Sequence, residues 1–262
     1  MKIRYFSAAL LLALTIAAPT AGAVDLKEEG AETQKTASAA PAANGGAGTE
    51  AASAEEPAAT EETDWRLLLV NPWHTLPEDF SVELVTLPSC GLKVDKRIFE
   101  DLEEMLVACR EAGLRPVICS AYRTEAVQTR LYNNKIARLR AAGYSRESAV
   151  KEAGRWVAVP NTSEHQTGLA LDIVSASYQG LTKRQERTAE QKWLMEHCWE
   201  YGFILRYPSE KSEITGIGYE PWHYRYVGRE TALAIRDSGL CLEEYLETLE
   251  TPAASPAAKP AA

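Results

Sequence analysis

The chain has 262 residues, of which 45% are hydrophobic and 25% charged, and its formal net charge at pH 7 is −9. This composition is typical of a soluble globular protein with one or two domains. No basic patch or stripe is present, so nucleic acid is excluded as a partner. Shifts in composition at both ends of the chain favour a single domain.

Residues 1–23 have the pattern of a secretory signal peptide. Lys2 and Arg4 form a short positive region, residues 8–18 are apolar, and residues 21–23 offer the small side chains that signal peptidase prefers. The apolar run is shorter than the roughly 20 residues that a membrane-spanning helix needs. The sequence therefore predicts export, and the alternative is an uncleaved N-terminal membrane anchor.

Residues 24–63 and 251–262 are low in complexity and contain no aromatic residue. Such segments cannot bury enough apolar surface to offset the entropy of the chain, so both are predicted to be disordered. Ten acidic and two basic residues lie between Asp25 and Asp64. This acidic linker indicates a spacer that holds the remaining domain, residues 64–250, away from a surface. The domain is expected to be a monomer.

The patterns in residues 64–250 predict helices mixed with short strands. Asp95 caps a helix with one apolar face, and Thr188 with Gln191 forms a capping box at the start of a later helix. Without a regular strand-helix-strand alternation, the sequence predicts an α+β fold, a small antiparallel sheet flanked by helices. The predicted elements are helix 95–112, strand 116–120, helix 124–142, a helix from 145 toward 157, strand 169–174, helix 188–201, strands 203–207 and 223–227, and a helix 230–249 broken at Gly239.

Five cysteines allow at most two disulfides with one thiol left over. Cys109 and Cys119 flank a predicted helix, turn and strand, so in an exported chain they form one candidate pair. Cys198 and Cys241 form a second candidate pair. The sequence predicts a Cys109–Cys119 disulfide, and buried free thiols are the alternative.

Two residues of zinc-ligand type lie close together in the middle of the domain. His165 stands in a polar loop, Asp172 ends the apolar run that follows, and Gly168 lets the backbone turn between them. A catalytic zinc takes three protein ligands and keeps an open position. The third ligand must come from elsewhere, and single histidines or aspartates more often serve as ordinary polar or turn residues. The other histidines are His74, His197 and His223, and Glu220 before His223 supplies a carboxylate that can act as a base.

Three motifs make the chain recognisable. Residues 163–172, SEHQTGLALD, match the pattern Ser-x-His-x-x-Gly-x-Ala-x-Asp, residues 220–223 read EPWH, and residues 120–124 read SAYRT. In this order and at these spacings they resemble the D-alanyl-D-alanine carboxypeptidases of VanY type. These are zinc peptidases related to the lysostaphin and hedgehog folds. The resemblance covers approximately residues 65–248.

The resemblance implies that a zinc ion is held by His165, Asp172 and His223, with Glu220 as the general base. It also implies that Arg123 faces the scissile carbonyl, where a guanidinium stabilises developing negative charge. A structural salt bridge is the alternative role for Arg123. Glu164 has no matching family role and is expected to be solvated. Three further positions are expected to contact substrate, with a structural role as the alternative for each: Gln128, Ser163 and Trp222.

The resemblance therefore implies a zinc carboxypeptidase that removes the C-terminal D-alanine from peptidoglycan stem peptides, secreted or associated with the cell wall or membrane. The alternatives within the same fold are an L,D-carboxypeptidase and a peptidoglycan endopeptidase, and the motifs do not separate them. A non-catalytic wall-binding module would be marked by loss of Glu220 or Arg123, and both are present. A serine peptidase would need a motif such as Gly-x-Ser-x-Gly, which the sequence lacks.

Overall fold

The computed structural model describes residues 64–250. The predicted signal peptide, acidic linker and C-terminal tail lie outside these residues and stay predictions. Across the described residues, no helix is both long and apolar enough to cross a membrane.

Six short strands and seven helices make up the described domain. The strands are β1 (Leu84–Thr86), β2 (Lys93–Asp95), β3 (Pro116–Ser120), β4 (Ala170–Ser175), β5 (Phe203–Leu205) and β6 (His223–Tyr226). The helices are α1 (Phe99–Glu111), α2 (Glu125–Ala141), α3 (Arg146–Gly154), α4 (Ala189–His197), α5 (Ser212–Thr215), α6 (Arg229–Ser238) and α7 (Leu242–Glu250).

The helices begin at the residues that the sequence marks as caps. The side chains of Thr124, Ser145 and Thr188 each accept a hydrogen bond from a backbone N–H in the first turn of α2, α3 and α4. Such bonds satisfy donors that have no partner within the helix. Asp95 caps the 3-10 turn Lys96–Ile98, which leads directly into α1. The predicted helix starts are therefore confirmed to within a few residues.

Four of the strands form an antiparallel sheet in the order β3-β4-β6-β5. Alternation along each strand gives the sheet two different faces. One face carries Leu171 and Ile173 of β4 with Tyr224 of β6, and these pack into the hydrophobic core together with apolar residues of α1 and α4. The opposite face carries Asp172 and His223, and it is polar although it is also buried. The sheet thus separates the core from a polar, buried site.

A second, two-stranded antiparallel sheet, β1-β2, was not predicted from the sequence. Each of its strands has only three residues, too few for an alternating pattern to stand out. Its second strand ends at Asp95, whose N–H donates to the carbonyl oxygen of Gly168 at 3.0 Å. The small sheet therefore supports the turn that precedes β4.

The predicted Cys109–Cys119 disulfide is wrong, because all five cysteines are free thiols in the structure. Cys109 is buried on α1. Ile118 of β3 packs in the core, and alternation along the strand turns Cys119 to the other face, where its Sγ lies 3.5 Å from the carbonyl oxygen of Asp172. The second candidate pair, Cys198 and Cys241, is also unbonded.

Candidate metal centre and active site

The three predicted metal ligands come together on the polar face of the sheet. Asp172 of β4 is paired directly with His223 of β6, and directly paired residues project to the same face. His165 reaches this face from the 3-10 turn Glu164–Gln166. His223 Nδ1 lies 3.1 Å and His165 Nε2 lies 3.4 Å from Asp172 Oδ1. All three side chains are buried, and their potential ligand atoms lie within 4.8 Å of one another.

The chemistry of these three side chains fits zinc. His165 Nδ1 lies 2.7 Å from the carbonyl oxygen of Ala121, so this nitrogen carries the proton and donates it. The lone pair is then on Nε2, which faces Asp172, and a backbone partner of this kind commonly orients a metal-binding histidine. Two imidazoles and one carboxylate are the kind of three-residue ligand set that a catalytic zinc site uses. No second group of three potential ligands occurs within residues 64–250.

The electrostatics of the ligands agree with this assignment. Burial, reinforced by the positive charge of Arg123, lowers the pKa of His165 to about 4, so its ring is neutral, as a ligand must be. Burial alone would raise the pKa of Asp172, but the two histidines outweigh it and hold the pKa below its usual range. For His223 burial is opposed by Asp172 and Glu164, which raise its pKa to about 9. Binding of a metal cation at this site would therefore displace the proton that His223 holds in the metal-free protein.

Glu220 lies beside the ligands without joining their cluster. Its Oε2 is 3.7 Å from His223 Nδ1, and its backbone carbonyl accepts a hydrogen bond from the N–H of His223. The turn between these two residues fixes the carboxylate next to the metal position. Burial, with the nearby charge of Asp172, raises the pKa of Glu220 to about 8, although His223 and Arg123 oppose the shift. A carboxyl with such a pKa can both accept and return a proton near neutral pH.

Arg123 has a buried donor without a partner and interacts electrostatically with Asp172 and Glu220. The residue follows β3, and its backbone N–H donates to the carbonyl oxygen of His165 at 3.0 Å. The buried Nε has no hydrogen-bond partner among the described residues. Asp172 and Glu220 act on the guanidinium electrostatically, while burial lowers its pKa. Arg123 also lines an open cleft of about 440 Å³ together with Tyr122 and Gln166. Arg123 therefore borders the cleft and also interacts electrostatically with Asp172 and Glu220.

Comparison with known proteins identifies the family. The family model VanY, D-alanyl-D-alanine carboxypeptidase, matches residues 91–229. A D-alanyl-D-alanine carboxypeptidase of Enterococcus faecalis is 45% identical over 188 residues, which are 72% of this chain and 68% of that protein. This chain belongs to the VanY family of D-alanyl-D-alanine carboxypeptidases.

Solved structures of VanY proteins agree with this membership. A mutant of the vancomycin resistance D,D-pentapeptidase VanY, in complex with Zn(II), is 44% identical, with a TM-score of 0.64 over 70% of this chain and 99% of that one. VanYB in complex with D-alanine-D-alanine is 45% identical, with a TM-score of 0.65 over 71% of this chain and 99% of that one. The expected α+β zinc-peptidase fold, the class of enzyme and the zinc cofactor are therefore confirmed.

The three expected substrate contacts of this VanY-family chain lie in different surroundings. Gln128 is fully buried on α2, and its Nε2 donates to the carbonyl oxygen of Ala158 at 2.6 Å, whereas its Oε1 has no partner. Ser163 is buried and precedes the turn that carries His165, but its hydroxyl does not cap that turn. Trp222 is also buried, with 5% of its surface exposed. The structure thus gives Gln128 a clear structural role, and leaves substrate contact for all three a prediction.

The prediction that Glu164 is solvated is wrong. Only 1% of its surface is exposed, and its carboxylate pairs with two arginines, Arg206 at 2.7 Å and Arg225 at 2.6 Å. The sequence does hold a signal for this cluster, because the two arginines occur in or beside strands that are otherwise apolar or aromatic. A buried arginine needs an acidic partner.

A second residue that the sequence did not indicate is Tyr207. Its ring centroid lies 4.7 Å from that of His223, and its carbonyl oxygen accepts a hydrogen bond from the N–H of Glu220. It therefore forms one wall behind the ligand and the base. The remaining histidines lie outside the ligand cluster: His74 pairs with Asn71 and His197 with Glu200.

Proposed function

We propose that this chain is a zinc-dependent D,D-carboxypeptidase that hydrolyses the bond before the C-terminal D-alanine of peptidoglycan stem peptides. The observation that carries this proposal is the placement of Glu220 and Arg123. The Glu220 carboxylate lies 3.7 Å from His223, and Arg123, whose Nε has no partner among the described residues, interacts electrostatically with Asp172 and Glu220. A binding module has no need for a base and a charge-stabilising donor at the same position.

His165, Asp172 and His223 hold the zinc cofactor in this proposal. Zinc held by His165, Asp172 and His223 supplies a Lewis acid that makes water more acidic and polarises a carbonyl group. The neutral ring of His165 and the ionised carboxylate of Asp172 are ready to bind it, as their shifted pKa values indicate.

Glu220 performs the proton transfers in this proposal. It takes a proton from the attacking water and returns it to the amine of the leaving D-alanine. Its pKa, raised to about 8 by burial, lies close to the pH at which both steps are favourable. The carboxylate faces the ligand cluster, so the proton moves over a short distance.

Arg123 stabilises the negative charge that develops on the carbonyl oxygen. A guanidinium fixed in a site of low polarity stabilises such charge strongly, and it does not need to reorganise during the reaction. Its Nε makes no hydrogen bond that a substrate would first have to break. We further propose that Ser163 binds the terminal carboxylate of the peptide, that Gln128 contributes through its free Oε1, and that Trp222 walls the pocket.

The place of action follows from the substrate. Stem peptides lie outside the cytoplasm, and the predicted signal peptide and acidic spacer are suited to deliver the domain there. We propose that the domain acts there as a monomer, either released or held near the membrane by an uncleaved N-terminal segment.

Defined muropeptides test the proposal directly. The purified protein is incubated with a pentapeptide ending in D-Ala-D-Ala and, separately, with the corresponding tetrapeptide, and the products are identified by mass spectrometry. We expect loss of one alanine from the pentapeptide, arrest by a chelator, and recovery when zinc is added. Cleavage of the tetrapeptide alone would show an L,D-carboxypeptidase, and cleavage within cross-linked peptides would show an endopeptidase. Binding without any cleavage would show a wall-binding module.

A further inference from the structure

A buried cluster of charges lies directly behind His223, on the side away from Asp172. Its centre is Glu164, whose side chain is completely inaccessible to solvent. One carboxylate oxygen, Oε1, accepts hydrogen bonds from Arg206 Nε at 2.7 Å and from Arg225 Nη1 at 2.6 Å. Such a fully buried carboxylate would be very costly without these partners. Their charges outweigh burial and hold the pKa of Glu164 below its usual range.

The second oxygen of Glu164 faces the metal ligand. Glu164 Oε2 lies 3.5 Å from His223 Nε2. Both atoms are buried, and neither has a hydrogen-bond partner among the described residues. The other ring nitrogen, Nδ1, faces Asp172 Oδ1 at 3.1 Å. The imidazole of His223 therefore stands between two carboxylates, one in the ligand cluster and one outside it.

We infer that Glu164 is a positioning residue that accepts the Nε2–H of His223 and thereby turns the Nδ1 lone pair toward the metal. A histidine that binds a metal through one nitrogen usually donates its other N–H, and a carboxylate partner fixes the tautomer and makes the ligand more basic. Glu164 is next to His165 in sequence, so one short turn supplies both a ligand and the support for another. This inference rests on the zinc site of the proposed function.

The arginines that hold Glu164 are themselves held by both ends of the domain. Arg206 donates to both carboxylate oxygens of Glu243 at the start of α7. Arg225 Nη2 donates to the backbone carbonyl oxygens of Arg66 and Leu68. Arg225 holds the carboxylate of Glu164 independently of Glu243, since its Nη1 donates directly to Glu164 Oε1.

A purely structural role for Glu164, as the centre of a buried ion cluster, predicts a different outcome from a positioning role. Loss of a structural carboxylate lowers the stability of the metal-free protein and leaves the affinity for zinc nearly unchanged. Loss of a positioning carboxylate lowers the affinity for zinc by more than the change in stability explains. Glu243 offers a matched control, because its carboxylate is also buried and also pairs with Arg206, but it does not contact a ligand.

The experiment compares Glu164→Gln with Glu243→Gln in the full-length protein. Zinc affinity is measured by competition with a chromophoric chelator, and the stability of the metal-free proteins by urea denaturation. We expect Glu164→Gln to bind zinc about 10–100-fold more weakly than wild type, whereas Glu243→Gln stays within about twofold although it is also destabilised. In the Co²⁺-loaded proteins, the visible absorption bands should shift in Glu164→Gln alone.

Wild-type zinc affinity in Glu164→Gln, or equal losses in both variants, would overturn the inference. If Glu164→Gln does not fold, Glu164→Asp replaces it, since this change keeps the charge for the arginines but withdraws the carboxylate from His223. Unaltered zinc binding in Glu164→Asp would then count against the inference in the same way. A wild-type protein that binds zinc but releases no D-alanine would reject the proposed activity without affecting this result.

Discussion

Two carboxylates within one buried site have opposite surroundings. Asp172 lies between two imidazoles, and these hold its pKa below the usual range, so that it stays ionised. Glu220 is as deeply buried, but the effects of burial and of the neighbouring Asp172 exceed those of its cationic neighbours and raise its pKa to about 8. Environments that separate two carboxyl pKa values in this way suit the two roles proposed here, a charged ligand for Asp172 and a proton-transfer group for Glu220.

The division of roles predicts the effect of Glu220→Gln. The amide keeps the size and shape of the side chain but cannot accept a proton at this position. We expect full zinc occupancy and a turnover number lower by about 10²–10⁴-fold, the loss typical of a missing acid–base group. D-alanine release, zinc content and affinity for a D-Ala-D-Ala peptide are measured on the same preparation. A variant without zinc would show that Glu220 is a ligand, and wild-type turnover would show that another group is the base.

The same substitution predicts how stability changes with pH in the metal-free protein. Because the folded pKa of Glu220 is raised from 4.5 to about 8, the unfolded chain loses this proton at a lower pH than the folded chain does. The contribution of Glu220 to stability therefore falls as the pH rises between these two values. Gln cannot ionise, so Glu220→Gln should become progressively more stable than wild type from pH 5 to pH 8. Urea denaturation of the metal-free proteins checks this, and a constant difference across the range would contradict it.

Among the connections between elements, the turn at Gly168 has the strictest geometry. It joins the 3-10 turn that carries His165 to β4, which carries Asp172, and its φ is +77°. A Cβ at this position would lie 2.8 Å from the backbone nitrogen of Asp95. Both the backbone conformation and the close approach of β2 therefore require glycine.

Replacing Gly168 with alanine should disturb the metal centre as well as the fold. The left-handed backbone alone costs about 1–2 kcal/mol, and the contact with Asp95 adds to this cost. Gly113→Ala is the matched control, since Gly113 has a φ of +81° but open space around its Cβ position. We expect Gly168→Ala to lose more stability than Gly113→Ala. Only Gly168→Ala should also bind zinc more weakly. Equal effects of the two substitutions on zinc affinity would show that the turn does not set the ligand geometry.

The elements that the sequence predicts well are those with strong local signals. Thr124, Ser145 and Thr188 mark helix starts because a capping side chain acts within one turn of its own position. The motif residues His165, Asp172 and His223 were likewise predicted to be neighbours, and the antiparallel pairing of β4 with β6 brings the last two together.

The features that sequence reasoning missed depend on contacts between distant segments. Glu164 is buried only because two arginines, 42 and 61 residues later, meet its carboxylate. The Cys109–Cys119 pairing failed because closeness along the chain says nothing about which face of β3 a side chain takes. Alternation along that strand places Ile118 in the core and turns Cys119 away from it.

Viewed across the whole domain, the metal position is where separate parts of the chain meet. The proposed ligands come from a 3-10 turn and two strands, and the proposed base comes from the turn before β6. The charge cluster behind His223 extends to Glu243 of α7 and, through it, to Asn71 in the N-terminal segment. A metal ion at this point connects segments that are far apart in sequence, so its binding should stabilise the entire fold.

Zinc should therefore raise the free energy of unfolding of the whole domain. At a free zinc concentration 100 times the dissociation constant, a site that exists only in the folded state adds about 2.7 kcal/mol. We expect the unfolding midpoint to fall when a chelator removes the metal and to recover when zinc is restored. His165→Ala and His223→Ala should abolish this shift, whereas His74→Ala and His197→Ala should keep it, because those two residues lie outside the ligand cluster. Thermal denaturation of the four variants over a series of zinc concentrations provides the measurement. A zinc-dependent shift that persists in both ligand variants would place the metal elsewhere, and its loss in His197→Ala would assign that residue to the site.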